Sequence, residues 1–270
     1  MRIRTVDAFT DRPFAGNPAG VCLLPEGPWP EDEVLASIAM EMNLAETAFT
    51  RPRPSGGWEL RWFTPAVEVR LCGHATLATA HALREDGLLA PGATAEFDTL
   101  SGRLTAEAGQ TGAITLDFPA NPPTEVPVPE GLVEALGSPV VAAYETGELG
   151  DLLVELADES TVRGLVPDLG LVVALATRGV ITTAAAGADG PGGYDYVSRF
   201  FGPAVGVPED PVTGSAHTAL APFWSDRLGR TALTGYQASR RGGLVRTEAA
   251  GARVRLTGHA VTTLEGDLRL

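Results

Sequence analysis

Short stretches in which apolar and polar residues alternate run through most of the 270-residue chain and predict strands. An early helix is predicted from Pro30 to about Asn43, because acidic residues open it and an apolar stripe follows. The segment that begins at Gly73-His74 differs, since its residues are small and apolar nearly all round. A helix without a polar face is usually buried. We therefore expect this second helix to run through the middle of a sheet or barrel.

The second half of the chain repeats this order of elements without repeating the sequence. Strand patterns are followed by a helix predicted at about 164–175, by more strands, and by a small, apolar helix that begins near Gly214. Residues 119–130 carry five prolines and read as a linker. The prediction is thus two similar domains, 1–118 and 119–260, with the C-terminal tail, about 261–270, returning to the first.

Composition removes several classes of function. The net charge is −14, which argues against a nucleic-acid partner and against binding to an anionic membrane surface. No lysine is present, so Schiff-base chemistry on lysine and a Walker A phosphate loop are excluded. The two cysteines are interpreted as reduced thiols. Neither a signal peptide nor an apolar run long enough to span a membrane is visible, so we expect a cytoplasmic protein.

The junctions before the two apolar helices are candidate anion sites. Gly73 and Gly214 each allow a tight backbone turn directly before a helix, whose first N–H groups carry positive partial charge. A small carboxylate would fit such a junction without any lysine. The alternative is a plain helix cap made by Thr76 or Ser215. His74, at the first junction, is expected to be a neutral imidazole because the helix dipole lowers its pKa.

An acid, Glu46, lies in the otherwise apolar stretch 43–49. A desolvated carboxyl group is suited to proton transfer near neutral pH. The local sequence alone nevertheless favours a glutamate at a strand edge that is exposed to water. Neither a zinc-binding spacing of His or Cys nor a dinucleotide-binding glycine motif is present, so we expect no metal and no cofactor.

Longer motifs decide between these readings. In order along nearly the whole chain, the sequence resembles the PhzF-like phenazine-biosynthesis isomerase family. The runs that carry this resemblance are VDAFTDRPFAGNPAGV, NLAETAF, RWFTPAVEVRLCGHATLATAHAL, SRFFGPAVGVPEDPVTGSAH and RRGG followed by GHAVTTLEG. The resemblance implies an α+β fold similar to diaminopimelate epimerase, with two similar domains, each a mixed β-sheet curled into a barrel around a central α-helix. It also implies an active site in the cleft between the halves, no cofactor and a homodimer.

The resemblance implies a role for each candidate residue. Glu46 would be the general acid/base that moves a proton on a small carboxylate-bearing substrate. His74 and Asp210 would orient the substrate and polarise its reacting atoms. The groups that would hydrogen-bond to the substrate are Gly73, Gly214 and Ser215.

Two departures from related patterns leave alternatives open. Ala45 stands where the family often has serine, which leaves the substrate undecided. Cys72 stands where related epimerases and racemases keep a catalytic thiol, so an epimerase or racemase that uses Cys72 as a base is the main alternative. A second cysteine at the junction near Gly214 is lacking, which argues against a two-thiol mechanism. A non-catalytic ligand-binding protein on the same fold is the other alternative, although Glu46, His74 and Asp210 together favour an enzyme.

Overall fold

The computed structural model describes residues 1–175, 178–187 and 193–269. They form two compact units. Unit 1 consists of Met1–Asp117 and Thr257–Leu270, and unit 2 of Phe118–Leu256. The sequence places the division at 118/119 and the returning tail at about 261–270. Within the described ranges, the helices are all too short or too polar to cross a membrane.

Among the described residues, strands outnumber helices in both units. The elements are β1 (Arg2–Ala8), β2 (Asn17–Leu23), α1 (Asp32–Met42), β3 (Glu46–Pro52), β4 (Trp58–Phe63), β5 (Glu68–Val69), α2 (Gly73–Glu85), β6 (Thr94–Thr99), β7 (Gly102–Ala108), β8 (Ile114–Pro119) and β9 (Thr124–Val126). They continue as α3 (Leu132–Leu136), β10 (Ala142–Glu145), β11 (Asp151–Glu155), α4 (Glu159–Gly164), α5 (Leu169–Ala174), β12 (Gly179–Ala185), β13 (Tyr196–Gly202), β14 (Val207–Asp210), α6 (Gly214–Leu228), β15 (Ala232–Gln237), β16 (Gly243–Ala250), β17 (Arg253–Gly258) and β18 (Ala260–Asp267).

In unit 1 the strands form a mixed sheet in the order β18, β1, β2, β3, β4, β6, β7, β8, with β5 also beside β4. The pairs β2–β3 and β4–β6 are parallel, and the others are antiparallel. A parallel pair needs a crossover between its strands, and α1 and α2 lie in these two crossovers. The chain therefore enters β3 directly after α1 ends at Asn43, which adopts the left-handed conformation that closes a helix.

Helix α2 is the centre of unit 1. It contacts β1, β2, β3, β7 and β18, and every residue from His74 to Leu83 is buried. Alanine and threonine predominate in this segment, so the strands approach the helix closely on several sides. The prediction of a buried central helix is confirmed. Helix α1 instead packs its apolar side on β3 and β4, through Leu35, Ile38 and Phe49.

Unit 2 repeats the strand pairing of unit 1. The sheet order is β9, β10, β11, β12, β13, β15, β16, with β14 also beside β13. The parallel pairs, β11–β12 and β13–β15, take the places of β2–β3 and β4–β6. Helix α6 packs on β15 and β16 and is buried over most of its length, as α2 is. The predicted α+β architecture with a duplicated order of elements is confirmed.

The single helix predicted at about 164–175 is wrong. The structure has two short helices, α4 ending at Gly164 and α5 beginning at Leu169. Pro167 lies between them, and a residue that precedes proline is disfavoured in helical conformation. The Asp168 side chain then caps α5 by accepting hydrogen bonds from the N–H groups of Gly170 and Leu171. The apolar periodicity correctly indicated α5, but the predicted helix began too early, because it ran across the break between Gly164 and Leu169.

Candidate active site

Glu46 is the first residue of β3, and it lies opposite Ala19 in the parallel pair with β2. Its side chain is 18% exposed, so the reading that the local sequence favours, a glutamate open to water, is wrong. The following residues of the strand, from Thr47 to Thr50, are buried. The carboxyl group is thus held at the edge of the core of unit 1, where it meets the start of α2.

His74, the second residue of α2, faces this carboxyl group. Nε2 of His74 lies 3.4 Å from Oε2 of Glu46. On the other side of the ring, Nδ1 lies 3.5 Å from Sγ of Cys72, the residue that precedes the helix. The strand start and the helix start therefore bring a carboxyl group, an imidazole and a thiol together in unit 1.

Burial fixes the protonation state of the imidazole. It lowers the pKa of His74 to about 3, so the ring is neutral at pH 7. A neutral ring offers one donor and one acceptor nitrogen. Nε2 has no hydrogen-bond partner among the described residues, although the side chain is only 6% exposed. Leaving a buried polar atom unsatisfied costs about 1–3 kcal/mol, so this nitrogen points to a function other than stability.

The same three side chains have donor atoms within 4.8 Å of one another, and all three are of types that bind zinc. The thiol and the carboxyl group face opposite nitrogens of the ring, however. The ring of His74 can bind one ion through only one of its two nitrogens. An ion bound by Glu46 and Nε2 would leave Nδ1 directed at Cys72, so His74 could share that ion with the carboxyl group or with the thiol, but not with both. Catalytic zinc sites use three protein ligands. The sequence-based expectation that no metal takes part stays a prediction.

The start of α2 does not carry the side-chain cap considered for it. Cys72, the N-cap residue, makes no side-chain capping bond. The hydroxyl group of Thr76 donates to the carbonyl oxygen of Cys72 at 2.6 Å, so it engages a carbonyl and not the N–H groups of the first turn. Gly73 thus begins a helix whose positive end has no side-chain cap from Cys72 or Thr76.

The corresponding turn in unit 2 is held by a buried network. Asp210 ends β14, and its Oδ2 accepts a hydrogen bond of 2.6 Å from the hydroxyl group of Thr213, the residue before Gly214. Gln237 on β15 is fully buried, accepts from the N–H group of Thr213 at 2.8 Å and donates to the carbonyl oxygen of Asp210 at 2.8 Å. Nδ1 of His217 lies 2.9 Å from the carbonyl oxygen of Thr213. Both the aspartate and the start of α6 are fixed in this way.

Sequence reasoning missed Gln237. Along β15, Leu233, Gly235 and Gln237 share the buried face of the strand. A polar residue at a core position in an alternating pattern is the signal that would have found it.

Of the predicted site residues, Glu46, Gly73 and His74 lie together in unit 1, beside Cys72. Asp210, Gly214 and Ser215 lie at one turn of unit 2. That residues of both units serve one reaction stays a prediction.

Comparisons with known proteins agree with this fold and these motifs. The family model for phenazine biosynthesis-like proteins, PhzC-PhzF, matches residues 6–266. An uncharacterized isomerase of Pseudomonas aeruginosa is 46% identical over 270 residues, which cover 100% of this chain and 99% of that protein. The crystal structure of a PhzF family protein from Enterococcus faecalis has a TM-score of 0.92 at 40% identity and covers 100% of this chain and 99% of that one.

A more distant structure shares the fold alone. A hydroxyproline epimerase from Agrobacterium vitis has a TM-score of 0.61 at 12% identity, covering 98% of this chain and 91% of that one. The protein is therefore an isomerase on a diaminopimelate epimerase-like α+β fold, as the sequence predicted. The chain belongs to the phenazine biosynthesis-like, or PhzF, family. These findings favour an enzyme over a non-catalytic binding protein.

Proposed function

We propose that this isomerase works without a cofactor and moves a proton on a small carboxylate-bearing substrate, with Glu46 as the general acid/base. One observation carries the proposal: the Glu46 carboxyl group lies 3.4 Å from a buried, neutral imidazole nitrogen that lacks a hydrogen-bond partner among the described residues. A half-buried carboxyl group beside an unsatisfied polar atom is an arrangement that a bound substrate completes.

The proposed chemistry follows from these two groups. As a carboxylate, Glu46 takes a proton from one carbon of the substrate, and as a carboxylic acid it returns a proton to another carbon. Nε2 of His74 forms a hydrogen bond with a polar atom of the substrate next to the reacting carbon, which fixes its orientation. Because the imidazole stays neutral, it adds no positive charge that would hold Glu46 permanently ionised.

Backbone groups and hydroxyls are proposed to hold the substrate. The starts of α2 and α6, at Gly73 and at Gly214 with Ser215, supply N–H groups at the positive ends of buried helices. Asp210, whose carboxyl group is fixed by Thr213, is proposed to orient a donor group of the substrate. A carboxylate ligand suits these N–H groups, which can bind an anion although the chain contains no lysine.

The experiment that tests this function follows deuterium from D₂O into small carboxylates by proton NMR. The panel contains dihydro-hydroxyanthranilate, amino acids and hydroxyprolines. We expect the protein to label the carbon that receives the proton, with a shift of the double bond towards the carbon that donated it. Label at one α-carbon with inversion of its configuration would instead assign an epimerase or racemase. Labelling at the same rate without protein would contradict enzymatic proton transfer on that compound.

One observation favours a second candidate, an epimerase that uses Cys72: its Sγ lies 3.5 Å from Nδ1 of His74. Such chemistry needs a second base on the opposite face of the carbon. The other thiol, Cys22, is an unsuitable base, because burial raises its pKa to about 12. It is also packed in the apolar cluster around Leu35 and Phe49.

Cys72→Ala is therefore expected to retain at least part of the exchange activity, since Glu46 carries the proton and the thiol only lines the ring of His74. The deuterium-labelling rate of the substrate that the panel identifies is the measurement. Cys72→Ser, which keeps a polar group at the same place, serves as its control. Complete loss in the alanine variant, with unchanged thermal unfolding, would support the thiol epimerase.

A further inference from the structure

Because the topology is duplicated, the corner of unit 1 that contains Glu46 and His74 has a counterpart in unit 2. In unit 1 this corner consists of the first residue of β3, Glu46, and the second residue of α2, His74. In unit 2 the third strand of the repeat is β12 and the buried helix is α6. The position that matches Glu46 is the start of β12, and Arg178 directly precedes this strand. The position that matches His74 is Ser215, the second residue of α6. The two folds are alike here, but the chemistry differs.

Arg178 is held in a fixed orientation. Its Nε donates to Oδ1 of Asp151 at 2.9 Å, and its Nη2 donates to the other oxygen of the same carboxyl group. Nη2 also lies 3.2 Å from Oγ of Ser215. The guanidinium group lies over the ring of Phe200, with 5.4 Å between its central carbon and the ring centroid. The side chain of Asp151 is completely buried, whereas that of Arg178 is 36% exposed. A buried carboxylate thus presents an arginine that solvent can reach.

Part of this guanidinium group has no hydrogen-bond partner among the described residues. A guanidinium group has five N–H donors in a fixed fork, and the three hydrogen bonds use only Nε and Nη2. Nη1 makes none with the residues that the structure describes. The hydroxyl group of Ser215 accepts from Arg178, so its own proton is free to be donated to a ligand.

The adjacent helix start points to the same kind of ligand. In the same unit, α4 and α5 are capped by aspartates, with N–H to carboxylate distances of 2.7 Å at Asp158 and 2.9 Å at Asp168. Thr213, the N-cap residue of α6, makes no such bond, and its hydroxyl group is directed to Asp210 instead. The positive end of α6 and an arginine with unused donors therefore lie side by side.

We propose that Arg178 and Ser215, at the start of α6, form a carboxylate-binding site, with Asp151 as the positioning residue that fixes the guanidinium group. The arginine and the aspartate together are neutral, so the site suits a monoanion better than a doubly charged phosphate group. The planar fork of arginine matches the two oxygens of a carboxylate. The assignment of this carboxylate to the substrate of the isomerase rests on the proposed function.

The test measures binding of benzoate, with benzamide as the neutral ligand of the same shape, by titration calorimetry and NMR. Arg178→Met is expected to weaken benzoate binding about tenfold or more and to leave benzamide binding unchanged. Arg178→Lys should lie between, because it keeps the charge and loses the fork. Arg163→Met is the matched control, since Arg163 is 39% exposed and belongs to α4 in the same unit.

A second variant guards against a folding defect, because Arg178→Met leaves Asp151 buried without its cation. The double variant Asp151→Asn with Arg178→Met removes both charges and should lose benzoate binding to the same extent. Benzoate affinity equal to that of the wild type in both variants would overturn the site, as would the absence of saturable benzoate binding by the wild type.

The failure of this site and of the proposed function are distinguishable. If Glu46→Gln exchanges deuterium normally while benzoate binding still depends on Arg178, the acid/base assignment is wrong and the anion site stands. If exchange depends on Glu46 while benzoate binding is indifferent to Arg178, the anion site is wrong and the proposed function stands.

Discussion

Glu46→Gln is expected to lower the rate of deuterium exchange by about a hundredfold to ten-thousandfold, the range that a positioned general acid/base contributes. Glutamine has nearly the same shape as glutamate, but its amide neither accepts nor releases a proton near neutral pH. The change is nearly isosteric at a half-buried side chain, so the fold and substrate binding should be unchanged. The measurements are the labelling rate by proton NMR and the affinity for the substrate by calorimetry.

Two further variants sharpen this test. Glu41→Gln makes the same chemical change on the exposed side of α1 and should exchange at the wild-type rate. Glu46→Asp keeps the carboxyl group but withdraws it by one methylene, so an intermediate rate is expected. A Glu46→Gln protein with wild-type exchange would exclude this residue as the proton carrier.

The elements that were predictable from the sequence are those fixed by local patterns. The burial of α2 follows from a segment in which nearly every residue is small or apolar, whatever the rest of the chain does. Asn43 marks the end of α1 because few residues other than glycine adopt its left-handed conformation readily. The helix predicted at about 164–175 failed for the complementary reason, since apolar periodicity does not register the break that Pro167 and Asp168 impose.

The surroundings of the chemical groups were not predictable in this way. Glu46 is shielded because residues distant along the chain, on β2 and α2, pack around it, and the local stretch contains no sign of this. The pairing of Asp151 with Arg178 spans 27 positions and that of Thr213 with Gln237 spans 24. The local sequence made Glu46 a candidate but favoured its exposure to water, and the motif resemblance alone assigned it a catalytic role. Arg178 lies outside those motifs. Long-range contacts decide which polar side chains are buried and therefore which are reactive.

The two units share a fold but carry different chemical groups at matching positions. The same corner, between the third strand and the buried helix, carries Glu46 and His74 in unit 1 and Arg178 and Ser215 in unit 2. The first pair suits proton transfer, whereas the second suits binding of an anion. Because fold alone does not fix function, the side chains at these corners are where members of one family can diverge in substrate.

His74 is expected to act through Nε2, and two substitutions separate the nitrogens of its ring. Glutamine places its terminal amide near the position of Nε2, which faces Glu46, whereas asparagine reaches only the position of Nδ1, which faces Cys72. We expect His74→Asn to lose about a hundredfold in exchange rate and His74→Gln to retain about tenfold more activity than His74→Asn, since one hydrogen bond to the substrate is kept. Equal rates in the two variants would contradict a role for Nε2.

The two His74 variants should become more stable relative to the wild type as the pH falls, an effect that does not depend on the role of His74 in catalysis. The pKa of His74 is lowered by burial from its ordinary 6.5 to about 3, so the folded protein keeps the ring neutral while the unfolded chain binds a proton. The contribution of the neutral His74 ring to the free energy of unfolding is fully present above pH 6.5. It is lost as the pH falls towards 3, by about 1.4 kcal/mol per pH unit within that window. His217, with a pKa lowered to about 4, adds a parallel loss in all the proteins compared. Urea unfolding at pH 7 and pH 5 should therefore show both His74 variants gaining stability relative to the wild type as the pH falls. An unchanged difference between pH 7 and pH 5 would mean that His74 takes up a proton as readily in the folded protein as in the unfolded chain, which would contradict the lowered pKa that keeps the imidazole neutral.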